Sequence, residues 1–304
     1  MTEPRRGVLL MTYGSPDSLT REGVGAYLTR VRGGREPDEE LVDEFTRRYQ
    51  VIGGSPLIEI TRRQAAALED SLGWPVEVGM RFSAPWIEDG LRSLAGRGVD
   101  DVVAIVLSPQ FSPLLMGGYE RDINSARAAL GDGAPTVEVA GAWHEQPAFV
   151  DALARRIRDG LAALPGERPV PVLLTAHSLP RRVADQEPGY LEQLRVTADL
   201  VARAAGLADN QWHFCWQSAG HEPGVWMTPD FADLMPDLAR DGHRAVLVAP
   251  VQFLADHLEI LYDVEVGARD QAERAGLTFA RIDSLNDDPN LIAALGAVAT
   301  HVIG

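Results

Sequence analysis

Two short segments hold the side chains best suited to chemistry. Ala176-His177-Ser178-Leu179-Pro180 sets an imidazole just past an apolar run, and Asp256-His257-Leu258-Glu259-Ile260-Leu261-Tyr262-Asp263 is the densest set of metal-competent groups in the chain. On a helix Glu259 and Asp263 are four residues apart and share a face. Their apolar neighbours Leu258, Ile260, Leu261 and Tyr262 predict that at least one of the two acids is shielded from water. By the same wheel His257 and Glu259 lie about 200° apart, so they are not expected to point into one cleft. His257 therefore reads as a residue that holds its own loop.

Other chemistries are set aside by what the chain lacks. Gly23-Val24-Gly25-Ala26-Tyr27-Leu28 opens like a dinucleotide loop, but its third glycine is missing and the stretch is helical in pattern. No Walker A sequence, Gly-x-Ser-x-Gly elbow or His-Glu-x-x-His motif is present. The single cysteine, Cys215, excludes an intrachain disulfide and an iron–sulfur cluster held by one chain. Any metal must take nitrogen and oxygen ligands. A net charge of −16 argues against a sequence-independent grip on nucleic acid or anionic lipid. The longest apolar run, Val102 to Leu107, is far below the ~20 residues of a spanning helix, and Met1 to Gly7 lacks a signal-peptide core. A cytoplasmic protein without a transmembrane segment is expected.

The elements that must position these residues form a repeated βα pattern. Eight β-rich segments, Gly7 to Tyr13, Val76 to Phe82, Asp101 to Ser108, Thr136 to Trp143, Val170 to Ala176, Trp212 to Gln217, Ala245 to Val251 and Leu277 to Asp283, are each followed by a helical stretch. Runs such as Val246-Leu247-Val248-Ala249 are apolar on both faces, as parallel strands covered by helices are. A closed barrel fits the count. Against it, the helical stretches Thr20 to Val31, Asp38 to Tyr49 and Leu57 to Leu72 separate the first two strands, and Pro165-Gly166-Glu167-Arg168-Pro169 reads as a mid-chain linker. The predicted fold is α/β: two Rossmann-like, chelatase-type domains, residues 1–164 and 165–304, each a four-stranded parallel sheet flanked by helices, with a cleft between them. Open parallel sheets bind ligands past the carboxyl ends of their strands, where Tyr13, His177 and Gln252 fall.

With these residues in view, the chain resembles the ferrochelatases, most closely the soluble coproporphyrin ferrochelatases of Gram-positive bacteria. The matching segments are Leu9 to Pro16, Arg47 to Leu57, Ala176 to Pro180, Trp216-Gln217-Ser218 with Trp226 to Asp230, and Asp256 to Glu259. The resemblance implies insertion of Fe2+ into coproporphyrin III, with His177 and Glu259 as the catalytic pair and Tyr13 approaching the metal from the other macrocycle face. It further implies that Arg32, Arg48, Ser55 and Tyr119 contact propionates and that Trp226 lines the cleft. His177, Glu259, Asp263 and Tyr13 are the implied metal-side set. The chemistry agrees: metallation removes two pyrrole protons, neutral imidazole suits that base, and carboxylates surrender Fe2+ more readily than thiolates.

Iron is expected as substrate, with no organic cofactor, and porphyrin and ferrous iron as partners. A monomer in transient contact with the next heme-pathway enzyme completes the expectation. Gly267 stands where relatives carry another acid beyond Asp263, so the carboxylate ladder is short, and Glu265 falls on the wrong face. Chelation of another tetrapyrrole, protoporphyrin or sirohydrochlorin, and a non-catalytic tetrapyrrole carrier are the alternative readings.

Overall fold

The computed structural model describes residues 4–164, 169–220 and 224–302. Residues 165–168 of the expected linker lie outside these. The first half runs β1 (Arg6–Thr12), α1 (Arg21–Val31), α2 (Glu39–Val51), α3 (Leu57–Leu72), β2 (Val76–Met80), α4 (Ile87–Gly96), β3 (Asp101–Val106), α5 (Pro113–Leu130), β4 (Thr136–Val139) and α6 (Pro147–Ala163). The second runs β5 (Val172–His177), α7 (Arg181–Ala184), α8 (Pro188–Ala205), β6 (Trp212–Gln217), α9 (Phe231–Arg240), β7 (Ala245–Pro250), a π-helical segment (Glu259–Ala268), α10 (Arg269–Arg274), β8 (Thr278–Arg281) and α11 (Pro289–Val302).

All strand pairs are parallel, in two separate sheets of order β2-β1-β3-β4 and β6-β5-β7-β8. The two orders are the same when each half is counted from its own first strand. Two open sheets replace the closed barrel. β1 shows why its sequence selects a central parallel strand: Val8, Leu9, Leu10 and Met11 are all fully buried. Val8 and Leu10 enter one core and Leu9 and Met11 another, on opposite faces of the sheet. The first of these cores is shared, because α6 packs on α8, and α11 returns from the end of the chain to pack on α3 and α6.

The helical insertion between β1 and β2 starts where polar caps allow it. Thr20 accepts from Gly23 N at the head of α1, and Asp38 accepts from Leu41 N at 2.8 Å at the head of α2. Its apolar residues Val24, Leu28, Val42 and Tyr49 meet Leu258 and Tyr262 from the other half. The insertion thus forms one side of the cleft and touches the π segment directly.

Candidate active site

His177 ends β5, and two hydrogen bonds fix it. Its main-chain N–H donates to Gln252 Oε1 at 2.7 Å, and Gln252 Nε2 donates in turn to the Tyr190 hydroxyl at 2.5 Å. Its Nδ1 lies against the Ser178 carbonyl, which can only accept, so Nδ1 carries the proton. Nε2, the other ring nitrogen, faces Glu259 Oε2 at 3.7 Å. His257 repeats the arrangement: Nδ1 donates to the Ala255 carbonyl at 2.9 Å, and Nε2 is 3.9 Å from the same Glu259 oxygen. The Phe253 ring packs against both imidazoles, with centroids 6.4 Å from His177 and 4.7 Å from His257.

This corrects the expectation for His257. It does hold its loop, yet it also joins Glu259, because His257 precedes the π segment and no helical wheel relates the two. The segment that carries Glu259 and Asp263 is likewise π rather than α. Its i→i+5 bonding puts residues four apart just short of one turn, so the two acids still face the same way, and such wide turns concentrate at functional sites.

The two acids are driven apart. Burial alone would raise the Glu259 carboxyl, but the imidazoles of His177 and His257 together hold it below its ordinary value. The same charge lifts His257 above its ordinary value against the opposing effect of burial. Asp263 moves up: burial raises it, the Ser218 hydroxyl opposes, the Glu259 charge raises it further, and Arg48 opposes. The two carboxyls thus shift in opposite directions, the kind of separation that acid–base sites use. Among the described residues no three His, Cys, Asp or Glu side chains converge into a metal cage.

The opposite wall is aromatic. Tyr13, just past β1, is half exposed; its ring tilts on Phe82 at 5.2 Å and meets Tyr119 edge-on at 6.4 Å. Tyr119, on α5, is buried behind it. The surrounding protein desolvates the Tyr13 hydroxyl and raises its pKa, with Arg81 opposing and the Glu259 charge adding to the rise. Arg81 lies 4.7 Å from the Phe82 ring and 5.5 Å from that of Tyr119, and pairs with Asp122 at 3.4 Å. Gly14 next to Tyr13 has φ +92°, and a Cβ there would come within 2.2 Å of Ser83 Oγ. Gly14→Ala is expected to destabilise by about 1–3 kcal/mol through strain and overpacking. Urea unfolding checks this, and an unchanged midpoint would show that the turn relaxes freely.

The remaining expected residues lie on the helical insertion and on the second half. Arg48 reaches across to Asp263 (Nη1 to Oδ1, 3.2 Å) while its Nε donates to Glu44 at 2.7 Å. Arg32 caps α1 and keeps a buried Nε without a hydrogen bond. Ser55 follows the Gly53-Gly54 turn between α2 and α3, its Oγ 3.4 Å from Leu57 N. Trp226 is bridged through its backbone to Pro180, beside the His177 loop, and a Cβ on Gly220 would come within 2.7 Å of its indole.

Comparison with known proteins decides the family. A ferrochelatase family model matches residues 5–302. The chain belongs to the ferrochelatase family. A ferrochelatase of Deinococcus radiodurans is 38% identical over 300 residues, covering 96% of this chain and 94% of its own. Coproporphyrin III ferrochelatases of Halalkalibacterium halodurans and Bacillus subtilis are 34% and 33% identical, over 98% and 100% of this chain and 97% and 100% of theirs. Among solved structures, SirB from Bacillus subtilis with Fe3+ superposes with a TM-score of 0.62 at 12% identity, covering 98% of this chain and 95% of that one. That likeness concerns the two-sheet fold alone. In this ferrochelatase the residues that meet at the strand ends are His177, His257, Glu259 and, across the cleft, Tyr13.

Proposed function

We propose that the chain inserts Fe2+ into coproporphyrin III, forming coproheme and releasing two protons, as a step of heme biosynthesis. The observation that carries this is His177 Nε2 facing the Glu259 carboxylate at 3.7 Å, with the half-exposed Tyr13 on the aromatic wall. His177 Nε2 takes a proton from a pyrrole nitrogen, and the imidazolium formed is stabilised by the Glu259 carboxylate. His257, whose Nε2 faces the same carboxylate, gives that proton an onward acceptor, so the base is restored for the second pyrrole. Asp263, one turn further along, holds iron on its way to the macrocycle, and Tyr13 offers an oxygen from the other side. Iron is substrate here, and no organic cofactor or iron–sulfur cluster enters the scheme; the one thiol, Cys215, is buried within β6.

Substrate capture rests on local positive charge in a chain of net −16. The Arg30-Val31-Arg32 end of α1 and Arg47-Arg48 on α2 supply guanidinium groups suited to the four propionates, with Ser55, Tyr119 and Trp226 completing the cleft. In this reading residues 1–164 form the porphyrin-binding half and 165–304 the half with His177 and Glu259. The protein works as a cytoplasmic monomer that passes product to the next heme-pathway enzyme in transient contact. No helix among the described residues is long and apolar enough to cross a membrane. Steady-state metallation of coproporphyrin III, protoporphyrin IX and sirohydrochlorin side by side tests the assignment. The largest kcat/KM is expected with coproporphyrin III; faster metallation of either of the others would replace it.

A further inference from the structure

Arg48 ties the two walls of the cleft together. It leaves α2 in the first half and reaches Asp263 on the π segment of the second, with 20% and 16% of the two side chains exposed. Its guanidinium is flanked by the rings of Tyr262 and Phe45, at 5.2 and 5.4 Å. Nε is engaged by Glu44 and Nη1 by Asp263. A guanidinium offers a carboxylate two planar edges, Nε–Nη2 and Nη1–Nη2, and here each edge already has one donor engaged. A propionate can be gripped in bidentate fashion only if one of the two protein carboxylates lets go.

The geometry says which one yields. Glu44 lies four residues before Arg48 on the same helix, bonds it at 2.7 Å and is also held by Arg47 at 2.9 Å. Asp263 belongs to another element and makes one longer bond of 3.2 Å. Once it lets go, Asp263 keeps the Ser218 hydroxyl but loses its cation, while the Glu259 charge still presses on it. Ser218 itself sits at φ +56° at the end of β6, a conformation that aims this hydroxyl and costs energy in a non-glycine residue. A largely buried carboxylate without a counter-charge is a place for a cation.

We infer that the Arg48–Asp263 ion pair couples the two substrates: a porphyrin propionate and a divalent cation each compete for one member of the pair, so that binding of either favours binding of the other. The inference rests on the proposed function, and it adds that capture of the two substrates is cooperative. By linkage the factor is the same in both directions. A pair that only braced the fold would lose both ligands when broken, whereas a competing pair trades one for the other.

Binding without turnover separates these cases. Mn2+ is the metal probe, followed by its electron paramagnetic resonance, and zinc coproporphyrin III, which carries four propionates but has no vacant centre, is followed by fluorescence. Arg48→Gln is expected to bind Mn2+ roughly fivefold more tightly and zinc coproporphyrin more weakly. Asp263→Asn is expected to do the reverse, binding zinc coproporphyrin more tightly and Mn2+ more weakly. In the unmodified protein, saturation with either probe should tighten the other by roughly the same factor, and this effect should vanish in both variants. Thermal midpoints verify folding, and Arg48→Met and Asp263→Ser, which also remove one charge of the pair, replace any variant that does not fold, with effects of the same sign. If both substitutions weaken both ligands, or Asp263→Asn leaves porphyrin affinity unchanged, the coupling is overturned while the functional reading stands. If the unmodified protein binds neither probe, the functional reading fails first.

Discussion

His177→Ala is expected to lower kcat for iron insertion by roughly 10²- to 10⁴-fold, while affinity for the metal-free porphyrin stays within about tenfold of the unmodified protein's. The asymmetry follows from what the imidazole touches. Its Nδ1 is tied to the Ser178 carbonyl and its Nε2 faces the Glu259 carboxylate, so it is placed to handle protons rather than to grip a propionate. The β5 end is held independently, through the main-chain bond to Gln252 that an alanine retains. The loop should therefore stay in place. Stopped-flow metallation and porphyrin fluorescence titration measure the two quantities separately. Near-normal turnover in the variant would remove His177 from the mechanism, and a parallel collapse of porphyrin affinity would make it a binding residue instead.

The strands were legible because central parallel strands are apolar on both faces. Val102 to Leu107 and Ala245 to Val251 announce themselves as runs, and even the short edge strands β4 and β8 fall within their expected segments. The π segment was not legible as such. Its buried residues Ile260, Val264 and Ala268 recur at strict intervals of four. In an α-helix that spacing drifts by about 40° per step and is usually corrected by steps of three. The missing steps of three were the available signal. His257 was misplaced because a helical wheel was extended two residues beyond the segment it describes. Arg81 follows β2 directly, so the rule that marks strand ends as ligand sites also covers it. What sequence could not supply is the direction of Arg48. Its type and position suggested a propionate, but the pairing with Asp263 joins residues 215 apart, and only the folded chain brings them together.

Glu259→Gln should be the most damaging change on the metal side, lowering kcat roughly a hundredfold or more, with no rescue by added Fe2+. Glutamine keeps the shape and some hydrogen bonding but removes the charge that stabilises a protonated His177. It also removes the charge that lifts His257. Burial, already the largest single influence on that imidazole, is then opposed only by the Ala255 carbonyl and the Asp263 charge, so its pKa should fall. The sign for stability follows. A raised histidine pKa contributes stability at low pH that fades as pH rises through the folded value, and a lowered carboxyl pKa contributes stability above its unfolded value that fades on acidification. The His257–Glu259 pair therefore stabilises the fold most between the two, in mildly acidic solution, and Glu259→Gln should flatten the pH dependence of unfolding there. Asp263→Asn should be milder in turnover and partly rescued by more Fe2+, because a residue that delivers metal is helped by excess metal and one needed at insertion is not. Proton NMR titration of His257, urea unfolding across pH and turnover at several Fe2+ concentrations read these effects independently. An inactive Asp263→Asn beside an active Glu259→Gln would reverse the two roles.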